Sequence, residues 1–492
     1  MNRHEWQRAA AATLLAGLTT VALGAAVEEI PITTRSSAAR MDFMAGQAAL
    51  DRGDGAEANA LFRAAVAADQ DFSYGWFNLG NAAFSTEEFA QSLKRAAAAG
   101  AKASEGERLL VQINQRFLDN DFQSQLALAQ QLVEKYPRSP RAWLALAGVQ
   151  GGINKFLEQR KSIARAMELD PHLAVAPFTM GNSYLFNEPR DLAQAEKYFR
   201  QALALAPGED NYWWTLGDVY RATNRLEEAR EYYTRATLLD PHDGTAPVKL
   251  GHVDSFLGRY DAARSDYDRG IANADTATKS FLANYRTFTW VHAGEPKTAV
   301  TALEKLAADS DTMEVPADQR AGAKVFALTN AAQIALHTGL NDDASRVIGK
   351  LAAALRANAK IVGTPEFSAI QEAQIAYQEG QLAARKGDYA QALSLAKKNA
   401  DLVAKQQNPR KMENYHDLLG LISLSQNKYS EAVAEYRKAD LTNMYTKYHL
   451  ALSLQGAGQA DEARKIFKEV GSWNFNSAGF ALIRKDALAR AG

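Results

Sequence analysis

The stretch "NYWWTLGDVYRATNRLEEAREYYTRATLLDP", residues 211–241, decides the fold of this 492-residue chain. Its first half carries apolar or small side chains on one helical face, at Trp213, Leu216, Gly217 and Tyr220. Its second half carries another such face, at Ala229, Tyr233 and Ala236, before a proline ends the pattern. Each helix alone would leave its apolar face in water. The pair must therefore stack on neighbouring pairs of the same kind.

The same pattern recurs along most of the chain. Residues that correspond to Ala229 follow one another at spacings of 33 to 36, at Ala58, Ser92, Gln125, Gln159, Ala195, Ala229, Ala263 and Ala299. Four more follow at wider or less regular spacings, at Ala344, Ala392, Ala432 and Ala463. We count about twelve repeats, and the later ones must contain longer helices or loops.

This period, with Trp, Leu-Gly, Tyr, Ala, aromatic, Ala and Pro at these offsets, resembles the tetratricopeptide repeat. The resemblance implies an all-α fold, a right-handed α-solenoid of about twelve helix pairs with a C-terminal capping helix. We expect about twice the roughly one-third helix content of globular proteins, and no sheet. The predicted segments are an extended lead-in (27–37), a regular array (38–313), an array with longer helices or loops (314–471), and a turn with the capping helix (472–492).

The first 26 residues are predicted to direct export. Arg3 and Arg8 precede a long uncharged run, and acidic residues follow it from Glu28. A positive start before an apolar run is typical of a signal peptide, and cleavage would follow the small residue Ala26. The predicted location is a bacterial periplasm, and the lead-in resembles that of exported bacterial tetratricopeptide proteins. The alternatives are an uncleaved anchor in the inner membrane that faces the periplasm, or an amphipathic N-terminal helix.

Composition excludes several classes of function. The 56 lysine and arginine residues nearly balance the 57 aspartate and glutamate residues, so no net field attracts nucleic acid. The absence of cysteine excludes thiol nucleophiles, disulfides and cysteine-bound metals. Phosphate-binding, nucleophile-elbow and HExxH motifs are missing, and His172 and His242 follow Asp-Pro at repeat boundaries. We therefore predict a non-enzyme with no catalytic residue, no cofactor and no bound metal.

The two adjacent tryptophans cannot share one helical face, because neighbouring residues diverge by about 100°. We predict that Trp213 packs against the partner helix and that Trp214 lies on a different stripe. In the tetratricopeptide family this stripe lines the concave groove. The resemblance therefore implies a set of groove residues, which are Phe77, Asn81, Phe84, Asn114, Phe117, Phe178, Asn182, Asn211, Trp214, Asp218, Arg221 and His252. Packing between successive repeats is the alternative role for their aromatic members.

A stripe of this composition suits an extended peptide. Aromatic rings supply contact area, and asparagine side chains hydrogen-bond a peptide backbone whatever its sequence. The predicted function is an exported, non-enzymatic scaffold or adaptor that binds a peptide or protein segment in its groove. The alternative is a glycan- or solute-binding subunit of a cell-envelope assembly. Nucleic acid is not an expected partner, and the membrane is one only through an uncleaved N-terminal segment.

Overall fold

The computed structural model describes residues 28–83, 86–119, 121–274, 276–406 and 410–492. The predicted signal peptide and Phe84 lie outside these residues. Helices make up 79 % of the structure, and the described residues contain no β-strand. The expected all-α fold is confirmed. The chain divides into two compact units, residues 1–206 and 207–492, and each unit is described by itself.

Unit 1 contains ten α-helices among its described residues. In chain order they are α1 Ser37–Arg52, α2 Gly55–Ala68, α3 Ser73–Asn81, α4 Thr86–Ala98, α5 Glu105–Leu118, α6 Phe122–Lys135, α7 Pro140–Gly152, α8 Phe156–Leu169, α9 Val175–Phe186 and α10 Leu192–Leu205. A short 3-10 helix, Ala99–Lys102, follows α4. An extended lead-in precedes α1, which begins after the N-cap Ser36.

Unit 2 contains fifteen α-helices among its described residues. They are α11 Asp210–Ala222, α12 Leu226–Leu239, α13 Thr245–Phe256, α14 Tyr260–Asn273, α15 Thr276–His292, α16 Pro296–Asp309, α17 Ala317–His337, α18 Asn341–Val362, α19 Pro365–Arg385, α20 Tyr389–Val403, α21 Glu413–Ser425, α22 Tyr429–Tyr436, α23 Met444–Gly456, α24 Ala460–Ser472 and α25 Ala478–Ala491. A second 3-10 helix, Ser310–Thr312, follows α16.

The helices form twelve pairs, from α1–α2 to α23–α24, and α25 is left as the final helix. Within each unit, consecutive helices pack on one another, so each unit is a solenoid of helix pairs. All twelve residues aligned with Ala229 are buried, with none more than 8 % exposed. The repeat register read from the sequence is therefore confirmed in every pair.

A glycine on the first helix and an aromatic ring on the second bring the two helices of a pair close together. A Cβ atom added to Gly217 would lie 2.5 Å from Tyr233, which is fully buried. The same approach joins four other pairs, Gly46–Phe62, Gly181–Phe199, Gly251–Tyr267 and Gly420–Tyr436. The ring occupies the space that a side chain would need, which explains the Leu-Gly and aromatic positions of the repeat.

Trp213 does not pack fully between the paired helices as predicted. It is only half-buried, while Tyr212, one position earlier, is fully buried. The indole N–H of Trp213 donates to the Pro207 carbonyl at 3.1 Å, and its ring lies against Tyr232. Trp76 and Trp143 make the same bond six residues back, to the carbonyls of Gln70 and Pro137. This tryptophan therefore holds the helix against the preceding turn. The hydrogen bond to that turn keeps one edge of the ring near solvent.

The wide repeat spacings of the second half come largely from longer helices. Helices α17, α18 and α19 contain 21, 22 and 21 residues, against the 13 or 14 of most others in the array. Helix α18 ends at Gly363, whose φ of 74° is a left-handed conformation that glycine adopts without strain. Pro365 then begins α19 with its N-cap Thr364.

Candidate functional site

The first helices of four consecutive pairs in unit 1, which are α1, α3, α5 and α7, surround a cavity of about 470 Å³. Its lining includes four of the residues predicted from the sequence, namely Phe77, Asn81, Asn114 and Phe117. Other lining residues are Ile30, Gln47, Tyr74, Asn78, Phe89, Leu110, Phe122, Arg141, Leu144 and Gly148. The volume is within the range of ligand-binding cavities in proteins.

Two asparagines form a continuous polar row across the cavity. The Asn114 side-chain amide on α5 donates to the Asn81 side-chain oxygen on α3 at 2.8 Å. Asn81 is exposed and lines the cavity, and a side-chain amide has enough donors and lone pairs to bond a ligand as well. The row stops at α7, where Gly148 takes the corresponding place.

Aromatic rings lie at one end of the cavity. Phe117 is 51 % exposed and Phe122 is 42 % exposed, so both offer ring surface to a ligand. The Phe117 ring meets the edge of Phe89 at a centroid distance of 6.4 Å. Phe77, in contrast, is buried and lies 6.1 Å from the Tyr74 ring. For Phe77 the alternative role, packing within the array, is therefore the larger one.

At the opposite end of the cavity, a carboxylate balances the positive charge of Arg141. Both terminal nitrogens of Arg141 donate to the Asp51 carboxylate, at 2.9 and 2.6 Å. Glu29 lies 3.7 Å from the same guanidinium, and burial raises the pKa of its carboxyl although Arg141 opposes the shift. Burial also raises the pKa of Tyr74 to about 12, so its hydroxyl stays protonated. This end of the cavity has no strong preference for an anion.

The lead-in closes one side of the cavity. Ile30 is buried against Gly106 and lines the cavity wall. The backbone N–H of Thr33 donates to the Glu107 carboxylate at 2.9 Å, and the Glu28 N–H donates to the Arg138 carbonyl. An extended piece of this chain is thus held across α5 and the start of α7 by both backbone and side-chain bonds.

The other predicted residues of unit 1 do not belong to the cavity. Phe178 and Asn182 lie on α9, both half-buried, and neither lines it. The Phe178 ring packs on Phe199 of the paired helix at 5.9 Å. Phe84 lies outside the described residues. Sequence reasoning missed Phe122. The predicted stripe contains only residues of first helices, whereas Phe122 begins α6, the second helix of its pair.

In unit 2 the predicted groove residues are largely covered. Trp214 is half-buried beneath the Lys249 ammonium, which lies 4.3 Å from its ring centroid. Asn211 is also half-buried. Asp218, Arg221 and His252 are buried, with exposures of 3 %, 3 % and 8 %. The expectation that these three line an open groove is wrong.

Asp218 is the centre of a buried network. Its carboxylate accepts hydrogen bonds from Arg221 at 2.7 Å, Tyr233 at 2.7 Å and Lys249 at 2.6 Å. Burial alone would raise the pKa of Asp218, but the two cations outweigh it and lower the pKa. Burial lowers the pKa of Lys249. The network links α11, α12 and α13, so the Asp218 carboxylate is satisfied inside the unit.

The C-terminal segment covers Arg221 and His252, and this is the physical reason that they do not line an open groove. Between α24 and α25 lie five residues outside the helices, and one of them, Asn474, donates to the Arg221 carbonyl at 3.0 Å. Asn476 lies 3.4 Å from His252 Nδ1. The sequence predicted a turn and a capping helix here. The amides of "WNFNS", residues 473–477, were the available signal that it missed.

Comparison with known proteins identifies the repeat. The tetratricopeptide repeat family model matches residues 43–107 and 180–244. These two stretches of the chain are therefore similar to the tetratricopeptide repeat. Anaphase-promoting complex subunit 3 of Schizosaccharomyces pombe is 31 % identical over 102 residues, which cover 21 % of this chain and 15 % of that protein. The chain thus matches only a small part of this curated relative's length.

Solved structures with similar folds were also found. The crystal structure of PilW, a type IV pilus biogenesis factor, is 17 % identical and covers 43 % of this chain and 97 % of its own, with a TM-score of 0.36. A tetratricopeptide repeat protein from Parabacteroides merdae is 16 % identical and covers 57 % of this chain and 98 % of its own, with a TM-score of 0.35.

The array of helix pairs offers neither a metal site nor a membrane span in its described part. No group of three or more His, Asp or Glu side chains there is placed to hold an ion. His172 and His242 are exposed in loops, where their backbone N–H groups bond the Asp170 and Asp240 carboxylates. No described helix combines the length and apolar composition that a bilayer crossing requires.

Proposed function

We propose that this protein is an exported, non-enzymatic scaffold that binds an extended segment of a partner protein in the unit 1 cavity. The observation that carries the proposal is that exposed aromatic rings and a row of two asparagines line the same cavity. Phe117 and Phe122 give an apolar end, and Asn81 and Asn114 give the polar wall. Tetratricopeptide arrays serve as protein-interaction scaffolds, which supports a protein partner.

The chemistry of the cavity favours an extended peptide. An apolar side chain of the ligand would rest on Phe117, and the ligand backbone would exchange hydrogen bonds with Asn81 and Asn114. Arg141 adds little attraction for acidic groups because Asp51 already neutralises it. We expect a partner selected by one apolar side chain and by its extended shape rather than by charge.

A non-enzymatic role is supported by the large share of the chain that the repeats occupy. The described helices are absorbed into twelve repeat pairs and a final helix, which leaves no separate catalytic domain among them. Export is supported by the charge pattern of the N-terminal segment and by the resemblance of the lead-in. The lead-in itself is fixed on unit 1 immediately after the proposed cleavage site.

Gly148 provides a selective test of the cavity. A Cβ atom added there would meet nothing within 4 Å, so Gly148→Leu places a new side chain in the cavity with no clash at its Cβ. We expect peptides selected on the purified protein from a random display library to bind this variant at least tenfold more weakly, a loss of about 1.4 kcal/mol. Helix stability should rise by up to about 1 kcal/mol, because glycine is a poor helix former.

The matched control is Gly349→Leu, at an exposed helical glycine of α18 that also has open space around its Cβ position. It should gain the same stability and keep full peptide affinity. Equal affinities of the Gly148 and Gly349 variants would contradict a site in this cavity. If the selection yields no peptide while a glycan array yields a ligand that Gly148→Leu abolishes, the glycan-binding alternative is correct.

A further inference from the structure

Five residues between α24 and α25 occupy the inner surface of unit 2. Helix α24 ends at Ser472, and Ser477 is the N-cap of α25, so residues 473–477 form a bridge outside the helices. This bridge contacts the first helices α11, α13 and α15, more than 180 residues earlier in the chain. Its contacts include Arg221 and His252, which belong to the stripe where the family resemblance places a ligand.

Asn474 makes the first set of polar contacts. Its side-chain amide donates to the Arg221 carbonyl at 3.0 Å and to the Asn224 side chain at 2.9 Å. Its side-chain oxygen accepts from Arg484 at 2.8 Å. Asn474 is fully buried, and its φ of 52° is left-handed. Three partners therefore recognise one asparagine side chain.

Asn476 makes a second set of polar contacts, with residues of the next two helix pairs. Its amide donates to the Tyr267 hydroxyl at 3.2 Å and lies 3.4 Å from His252 Nδ1. Its oxygen lies 3.3 Å from His292 Nε2. Burial lowers the pKa of His292 to about 4, so the ring is neutral near pH 7, and its Nε2–H donates to the asparagine.

An aromatic ring lies between the two asparagines. Phe475 faces the Arg221 guanidinium at 4.5 Å from its ring centroid, and Trp473 packs on Phe475 at 4.8 Å. Cation–π contacts of this kind are stronger when they are shielded from water. The surface thus has separate positions for an asparagine, an aromatic ring and a second asparagine in a row.

We propose that the inner surface of α11, α13 and α15 is a second peptide-binding site, which the chain's own residues 473–477 occupy. The partner it fits is a non-helical segment in which two asparagines flank an aromatic residue. The site lies in unit 2 and is independent of the cavity proposed for unit 1. Because the occupant is tethered, its effective concentration is on the order of millimolar or higher, and a free partner must compete with it.

The tether is helix α25, which holds the occupant in place. Phe480 of this helix is buried against Phe256 at 5.6 Å, and Arg484 donates to the Phe256 carbonyl. A partner gains access when the bridge and α25 lift together from the helices that α25 packs on, which are α13, α15, α17, α23 and α24. This opening separates the last helix from the rest of the array, as local unfolding does in other repeat proteins.

The first test uses the full chain and a labelled peptide, acetyl-SWNFNS-amide, whose sequence is that of residues 472–477. The variant Asn474→Gly with Asn476→Ala weakens the tethered occupant, and glycine retains the left-handed backbone. We expect the peptide to bind this variant at least tenfold more tightly than the unmodified chain. A peptide with alanine at both asparagine positions should not bind.

The matched control carries Asn341→Ala and Asn414→Ala, two exposed amides elsewhere in unit 2. It should bind the peptide as weakly as the unmodified chain. Gly148→Leu, combined with the loosened bridge, should leave peptide binding unchanged, which separates this site from the unit 1 cavity. A folded Asn474/Asn476 variant that binds no better than the unmodified chain would overturn the proposal.

The second test needs no variant and decides the case even if the substitutions prevent folding. Amide hydrogen exchange of the unmodified chain should be at least tenfold faster in α25 than in the adjacent α24, because α25 opens separately. Equal protection of the two helices would mean that α25 and residues 473–477 are permanent core. That result also overturns the proposal.

Discussion

At the scale of single residues, three consecutive aromatic side chains on α11 have three different roles. Tyr212 is fully buried, Trp213 fastens the helix to the preceding turn, and Trp214 supports the Lys249 ammonium. Their separation follows from the helical rotation of about 100° per residue. The periodicity gave the correct helix, but it assigned the deepest position to the wrong ring of the three.

Replacement by alanine distinguishes the first two roles. Tyr212→Ala should cost about 3 to 5 kcal/mol, because it leaves a cavity the size of a large aromatic ring. Trp213→Ala should cost about 1 to 3 kcal/mol, because its ring is half-buried and it loses one hydrogen bond. Urea unfolding of both variants measures the difference. A larger loss for Trp213→Ala would show that its contact with Tyr232 carries more stability than its burial indicates.

At the scale of helices, a close contact between a glycine and an aromatic ring holds a pair together. The inner surface of unit 2 is instead held by contacts between residues that are far apart in the sequence. Gly217 lets Tyr233 reach the first helix, and this contact lies within one repeat. The contact between His292 of α15 and Asn476 instead joins residues 184 positions apart. The buried histidine makes this junction between α15 and the C-terminal bridge sensitive to acid.

Protonation of His292 should weaken unit 2 in acid. Its folded-state pKa is about 4, lowered by burial, against about 6.5 in the unfolded chain. The unfolded state therefore binds the proton first, and stability is lost as the pH falls from about 6.5 to about 4. Below that range both states are protonated and the loss, about 3 kcal/mol, is complete. Above about pH 6.5 the effect is absent.

His292→Gln tests this prediction, because glutamine can still donate to Asn476 and takes up no proton. Urea unfolding at pH 7, 6 and 5 should show a smaller decline for the variant than for the unmodified chain. The comparison cancels the contributions of other titrating groups, including His337 and His449, whose pKa values burial also lowers. Parallel declines would mean that His292 titrates near its ordinary pKa in the folded chain.

At the scale of the whole molecule, each unit holds a segment of chain that is not part of a helix pair. In unit 1 it is the lead-in with Ile30, and in unit 2 it is the bridge with Asn474 and Asn476. Both segments lie outside the helix pairs and are held by hydrogen bonds to the array. Each unit therefore already binds a non-helical segment of its own chain, as we propose that it binds a partner.

Export should remove the segment before the lead-in. We expect the mature protein to begin at Val27 in a periplasmic fraction, since cleavage after Ala26 leaves the fixed lead-in intact. N-terminal sequencing of the protein from separated cell fractions measures this. A chain that keeps Met1 in a membrane fraction would support the anchor instead. Recovery of that intact chain from the cytosol would exclude export.

The sequence by itself determined the repeat architecture. A period near 34 residues, read from Ala229, placed eight small or polar positions, four more followed at less regular spacings, and all twelve are buried. The Leu-Gly position of the repeat marked glycines that meet aromatic rings. These contacts lie within one pair or between adjacent pairs. Local periodicity reports them because the same packing requirement returns at every repeat.

Only the tertiary structure decided which part of the predicted stripe is open. Asn81, Asn114 and Phe117 line a cavity in unit 1, whereas Arg221 is covered by Asn474, 253 positions away. A contact at that separation forms once in the chain and leaves no periodic trace in the sequence. It depends on where the end of unit 2 comes to lie after many pairs have stacked, and that position is the sum of small rotations that no single repeat specifies.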